Sequence, residues 1–190
     1  MNLPNKLTVL RVALVPVFLF FLLSGGIYAN YLLAALIFAL AALTDALDGH
    51  IARSRGLITT FGKFMDPLAD KILVASAMIA FVELGMAPSW VVITIIAREF
   101  LVTSLRLVAA SENIVIAADI WGKLKTIGQM VWILAALLLR GITCTTCVPL
   151  DTFNAAAFAV DLLMYLTLVL TVASGINYIV KNRACIRELK

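Results

Sequence analysis

The chain has 190 residues and a formal net charge of +4; 63% of it is apolar, 14% is charged, and its mean hydropathy is +1.06. Soluble domains carry about 45–50% apolar and about 25% charged residues. A soluble fold of this length cannot bury so much apolar side chain, which excludes an ordinary cytosolic enzyme, a disordered chain and a fibrous repeat. What remains is an all-α, polytopic membrane protein for which lipid is the solvent.

Six apolar segments follow one another, at 7–24, 31–53, 64–85, 90–110, 121–140 and 153–180. A crossing takes about 20 residues, so six transmembrane helices use most of the chain. Residues 1–190 therefore form a single membrane domain, and a backbone in lipid must satisfy its own hydrogen bonds, which makes the spans helical. The first segment begins like a signal peptide, but no small-residue cleavage site follows it and the apolar run has spanning length, so it reads as a retained helix. Of the 15 basic residues, all but Arg140 fall at the ends and loops of one side. The positive-inside rule puts that side, with both termini and the 53–63 and 106–123 loops, in the cytoplasm. The expected place is the cell's inner, cytoplasmic membrane. Ser111–Asp119 is expected to hold a short interfacial stretch.

The second segment ends with Asp45 and Asp48, and the third begins with Asp66 and Asp70. A carboxylate at the centre of a span costs about 2.5–3.5 kcal/mol, less toward the ends. Spacings of three and four put each pair on one helix face, and a short loop joins the two helices, so the four acids converge. Two divalent cations would relieve their repulsion, because carboxylate oxygens are hard ligands suited to Mg²⁺ or Mn²⁺. A pair of metals is a recurrent device for phosphoryl transfer. The alternative is a salt-bridged cluster with Arg53, Arg55, Lys63 and Lys71. Gly49, Ala52 and Gly62 are small residues beside the cluster, suited to close approach by a ligand or by another helix. Arg53 is either a bidentate phosphate donor or a marker of the inner side.

In the fourth segment, Arg98 and Arg106 are two turns apart and share a face. Lys123 and Lys125 open the fifth on the same side of the membrane. Intramembrane cations gathered in this way suggest a phosphate pocket. The alternative is snorkelling basic residues, with Glu99 partnering one of them; adjacent on a helix, Arg98 and Glu99 do not face each other. His50, the one histidine, reads as structural or interfacial, with a ligand among the carboxylates as the alternative. Cys144 and Cys147 lie in a loop expected outside the cytoplasm, as a local disulfide or as two free thiols. With Cys185, the three cysteines are too few for a disulfide framework or a four-thiolate zinc site. The positive charge points to anionic lipid, not to nucleic acid.

The run Asp45-Ala-Leu-Asp48-Gly49-His-Ile-Ala52-Arg53, then Gly62, Asp66 and Asp70, resembles the signature of the CDP-alcohol phosphotransferase family at every specified position. The resemblance implies a six-helix membrane fold, and transfer of a substituted phosphate from a CDP-linked donor to an alcohol with release of CMP. It implies that Asp45, Asp48, Asp66 and Asp70 hold two divalent metals, and that Asp70 is also the general base. It further implies that Gly49, Ala52, Arg53 and Gly62 line the cytidine nucleotide site, and that the protein is a homodimer. Three flanking segments, Pro4–Arg11, Arg98–Arg106 and Gly122–Thr126, resemble the bacterial members whose donor is CDP-diacylglycerol and whose acceptor is sn-glycerol 3-phosphate. On that resemblance Arg98, Arg106, Lys123 and Lys125 bind the acceptor phosphate. Asn5 and Thr8 either touch the CDP-lipid or cap the first helix. Phosphatidylglycerol, inositol phosphate and serine are the alternative acceptors. A divalent-cation transporter is the alternative of a different class, although its acids should be spread across the bilayer, and the outer half holds only the isolated Glu83, Asp151 and Asp161. A non-catalytic scaffold is a third.

Overall fold

The computed structural model describes residues 3–55, 60–111 and 120–183; within these, the side chains of 3–7, 45–55, 60–67, 70, 110–111 and 120 are outside the description. Among the described residues the fold is all-α, with six helices and no strand: α1 (Leu3–Leu23), α2 (Asn30–Arg55), α3 (Thr60–Glu83), α4 (Ser89–Ser111), α5 (Ile120–Thr145) and α6 (Leu150–Lys181). Each of the six apolar segments of the sequence corresponds to one helix. The expected interfacial stretch at Ser111–Asp119 lies almost wholly outside the described residues.

α5 and α6 are long and apolar enough to cross a membrane, over Trp121–Thr145 and Leu150–Lys181. α1 and α2 contribute the shorter apolar stretches Thr8–Leu23 and Asn30–Thr44. α4 differs for a physical reason: it carries Arg98, Glu99 and Arg106 along its length. Large apolar side chains are exposed on all six helices, among them Phe20, Leu36, Ile79, Ile93, Ile127 and Phe158. So continuous an apolar exterior suits a membrane and not water.

Packing follows helical periodicity. On α1, Thr8, Arg11, Val15, Phe18 and Leu22 are buried at alternating spacings of three and four, giving one inward stripe. α1 lies against both α2 and α3, and the Phe18 and Phe38 rings meet at 5.7 Å. α5 packs on α2, α3 and α6; α4 packs on α3 and α6. Phe81 of α3 and Trp132 of α5 stack edge to face at 5.8 Å near the middle of the core. Lipid removes the usual hydrophobic drive between helices, so close packing over small residues has to serve instead. Gly141 is the clearest case. A Cβ built there would lie 2.5 Å from Leu32 Cδ2 and 3.1 Å from the Leu32 backbone nitrogen, so α5 and α2 meet at a distance only glycine allows.

The connections are tight. α3 ends in a Schellman turn: Gly85 takes φ +66°, its N–H donates to the Val82 carbonyl at 3.1 Å, and the Met86 N–H donates to the Phe81 carbonyl at 2.8 Å. Pro88 follows and prevents the helix from continuing. Between α1 and α2, Ala29 adopts φ 57°, and the buried Asn30 amide donates to the Leu22 carbonyl at 3.4 Å. That bond ties the start of α2 to the end of α1. Cys144, on the last turn of α5 and not in the loop the sequence suggested, and Cys147, in the connection to α6, are exposed free thiols.

Candidate functional site

The backbone places the aspartate motif on two consecutive helix ends. Asp45, Asp48, Gly49, His50, Ala52 and Arg53 lie on the last turns of α2, and Gly62, Asp66 and Asp70 lie on the first turns of α3. Only residues 56–59 separate the two helices in sequence. The side chains of these nine residues, and that of Asn5, are outside the described residues. Among the described residues no group of three or more His, Cys, Asp or Glu is placed to hold a metal ion. As a donor set, four carboxylates at spacings of three and four on two successive helix ends fit hard divalent cations.

Next to that end of the bundle the described residues form an ionic cluster centred on Glu99 of α4. Lys71 Nζ, from α3, donates to Glu99 Oε2 at 2.9 Å. Lys125 of α5 pairs with Glu99 Oε1. Arg98 Nη1 reaches the same oxygen at a weaker 3.4 Å. The side chains are 24% (Lys71), 12% (Arg98), 6% (Lys125) and 13% (Glu99) exposed, so most of this charge is out of water. Three helices thus place cations around one largely buried carboxylate. The 98–99 contact departs from the sequence expectation that neighbours on a helix do not meet; the arginine stem is long enough to swing its guanidinium back to the adjacent carboxylate.

Helix α6 supplies the polar wall. Met164, Thr167, Thr171, Ser174, Gly175 and Tyr178 are its buried residues, a single inward stripe. Arg98 Nη2 donates to Ser174 Oγ at 2.9 Å. The Ser174 and Thr171 hydroxyls donate in turn to carbonyls one turn back, at 2.9 and 2.7 Å, so the helix satisfies its own polar groups. The stem of Arg98 lies across Gly175, where an added Cβ would sit 3.0 Å from Arg98 Cγ. Two turns along α4, the Arg106 guanidinium stands 5.8 Å from the centre of the Tyr178 ring, a cation–π contact.

Of the four basic residues expected at the acceptor phosphate, Arg98 and Lys125 come together on Glu99. Arg106, exposed, shares the α4 face of Arg98 and lies over Tyr178 of α6. Lys123 is exposed, because a residue two positions from Lys125 points to the other side of α5. Thr8 is fully buried on the inner stripe of α1, and so is Arg11 one turn on. Four residues were missed as site candidates: Lys71, Glu99, Arg11 and Gln129. Gln129 is 3% exposed and its Nε2 has no hydrogen-bond partner among the described residues. The available signals were Arg11 inside an apolar stripe and Gln129 one turn after Lys125. Glu99 and Lys71 lie 28 residues apart in sequence, and only the packing of α3 on α4 brings them together.

Residues 1–174 match the family model described as CDP-alcohol phosphatidyltransferase. A Bacillus subtilis protein named CDP-diacylglycerol–glycerol-3-phosphate 3-phosphatidyltransferase is 42% identical over 193 aligned residues, covering 95% of each chain. A Mycobacterium tuberculosis protein named probable phosphatidylglycerophosphate synthase is 43% identical, covering 95% of this chain and 81% of its own. A Haemophilus influenzae protein bearing the same name as the Bacillus one is 36% identical, covering 94% of this chain and 91% of its own.

Proposed function

The chain belongs to the CDP-alcohol phosphatidyltransferase family, and on that premise we propose that it transfers the phosphatidyl group of CDP-diacylglycerol to sn-glycerol 3-phosphate, giving phosphatidylglycerol phosphate and CMP. The observation that carries the choice of acceptor is the buried cluster of Lys71, Arg98 and Lys125 around Glu99. Among the described residues three cations face one carboxylate there. Such a gathering of basic side chains from three helices suits an acceptor bearing a phosphate better than serine or an uncharged alcohol. The names of the Bacillus and Haemophilus relatives support the same acceptor.

In this reading the acceptor phosphate binds to Arg98, Lys125 and Arg106, with Lys123 at the rim. The acceptor hydroxyl loses its proton to the Asp70 carboxylate. Its oxygen attacks the phosphorus that carries the diacylglycerol; a new P–O bond forms, the bond to the CMP oxygen breaks, and CMP leaves with those electrons. Gly49, Ala52, Arg53 and Gly62 line the nucleotide, with Asn5 and Thr8 bordering the CDP-lipid. Asp45, Asp48, Asp66 and Asp70 are the residues that would hold two divalent cations, Mg²⁺ or Mn²⁺, whose chemistry is to neutralise the charge of the pyrophosphate. The protein's own part is chiefly to position two substrates and to exclude water.

The same reading takes all six helices as spans of one membrane domain, residues 1–190, in the inner membrane, with both termini and the active site on the cytoplasmic side and the protein as a homodimer. Turning Arg98, Glu99 and Lys125 inward lets charged helices cross, since their ionic groups meet one another and not lipid.

The test is CMP release by the purified, detergent-solubilised protein supplied with CDP-diacylglycerol and Mg²⁺. It compares glycerol 3-phosphate, inositol phosphate, serine and phosphatidylglycerol as acceptors, with an EDTA control. Metal-dependent release with glycerol 3-phosphate alone is expected. Release with another acceptor would discard the acceptor assignment and keep the aspartate chemistry; cation flux without CMP would favour a transporter.

A further inference from the structure

The Glu99 carboxylate is shared between helices that the reaction must hold in register. Its Oε2 accepts from Lys71, which follows Asp70 directly on α3. Its Oε1 faces Lys125 on α5 and Arg98 on α4. Arg98 passes the connection to Ser174 on α6. Glu99 itself is anchored from behind, where Thr103 Oγ1 donates to its carbonyl at 2.8 Å and stiffens that turn of α4.

A merely structural salt bridge needs one cation for one carboxylate. Here cations from three helices converge on one, in a setting mostly removed from water. Without the carboxylate they would repel one another strongly, because the low dielectric of the interior magnifies like-charge repulsion. Lys125 and Arg98 would part, and Lys71 would lose its tie to α4. The pocket's cations would remain, but at different distances from Asp70.

We propose that Glu99 is a positioning residue: it ties the end of α3 that carries Asp66 and Asp70 to the basic face built by α4 and α5, and so sets the distance between the base and the bound acceptor phosphate. This rests on reading that basic face as the acceptor pocket. Glu99 touches neither substrate; it acts through Lys71, Arg98 and Lys125. Misplacement of this kind by about 1 Å reduces rates by roughly 100-fold. The loss should fall on the acceptor side of the kinetics, because the basic face of α4 and α5 is what shifts, while the nucleotide-binding positions stay together on the consecutive helices α2 and α3.

The experiment measures steady-state CMP release for wild type, Glu99→Gln, Glu99→Asp, Lys71→Met and the Lys71→Met/Glu99→Gln pair, varying glycerol 3-phosphate and CDP-diacylglycerol separately. Thermal unfolding in detergent is followed alongside. For Glu99→Gln, kcat/KM for glycerol 3-phosphate should fall roughly 10- to 100-fold, with KM for CDP-diacylglycerol within about twofold of wild type. Glu99→Asp keeps the charge on a shorter stem and should recover part of the loss. Adding Glu99→Gln to Lys71→Met should cost much less than it does in wild type, since the two act as one unit. Should Glu99→Gln alone fail to fold, Glu99→Asp and the charge-balanced pair carry the same comparison. Equal losses on both substrates, full additivity with Lys71→Met, or wild-type acceptor kinetics in the Glu99 variants would each overturn the proposal. The wild-type arm separates the two ideas: if it uses another acceptor, the acceptor assignment falls, and the Glu99 proposal is then judged on the kinetics of the acceptor actually used.

Discussion

Arg98 on α4 donates through Nη2 to Ser174 on α6 at 2.9 Å while its stem rests on the neighbouring Gly175. The arginine is thereby held at both its middle and its tip. An added Cβ at position 175 would stand 3.0 Å from Arg98 Cγ, so the stem must give by a few tenths of an ångström and carry the guanidinium with it. Gly175→Ala should therefore raise KM for glycerol 3-phosphate about fivefold, the equivalent of about 1 kcal/mol. KM for CDP-diacylglycerol should stay unchanged. Ser174→Ala, which frees the tip without crowding the stem, should have a smaller effect. Steady-state kinetics with each substrate varied in turn distinguish these outcomes; a larger effect from Ser174→Ala would mean that the hydrogen bond, and not the glycine, holds the arginine.

Arg106 and Tyr178 make a separable test of the same face. Arg106→Ala should raise KM for the phosphorylated acceptor more than KM for the CDP-lipid, and equal effects would contradict its place in the pocket. The Tyr178 hydroxyl is buried with no hydrogen-bond partner among the described residues. Removing it with Tyr178→Phe leaves the ring beneath the guanidinium and relieves an unsatisfied group, which costs about 1–3 kcal/mol when buried. Thermal unfolding should show Tyr178→Phe as stable as wild type or more so. Tyr178→Leu, which removes the ring, should lower stability and weaken acceptor binding together.

These tests lie where the sequence was least informative. The six helices were legible because long apolar runs separated by short polar connections read directly as helices. The helix-end positions of the four aspartates were legible because spacings of three and four belong to one helix face each. Glu99 was not, because its meaning depends on Lys71 and Lys125, which reach it from α3 and α5 by tertiary packing alone. Its nearest neighbour in sequence, Arg98, misled in the other direction: helical geometry separates adjacent residues, but a long flexible side chain overrides that spacing. The inequality of Lys123 and Lys125 was available from periodicity, since positions two apart on a helix point to opposite sides. The close approach at Gly141 has no local signal at all, being set by Leu32 on a different helix.

Asp70→Asn tests the proposed chemistry apart from the packing. The substitution keeps size and shape but removes the basic oxygen that would accept the acceptor's proton. CMP release should fall to near background, with the unfolding temperature in detergent within a few degrees of wild type. Adding excess EDTA to the wild type should also abolish release, and Mg²⁺ or Mn²⁺ should restore it. Retained turnover in Asp70→Asn would move the base to another residue; retained turnover in EDTA would remove the metals from the reading.

The contact between Gly141 and Leu32 should govern the stability of the bundle without touching the chemistry. Overpacking a tight interface costs about 1–3 kcal/mol, and here the obstruction includes the Leu32 backbone nitrogen at 3.1 Å as well as its side chain at 2.5 Å. Gly141→Ala should lower the unfolding temperature of the detergent-solubilised protein. Leu32→Ala in the same chain removes the side-chain clash but leaves the backbone one, so the pair should recover part of the loss and not all of it. KM for both substrates should be unaffected in every variant that folds, because this contact lies at the far end of α5 from Lys125. A full recovery would show that the side chain alone sets the spacing of α2 and α5; no recovery would show that the backbone approach does.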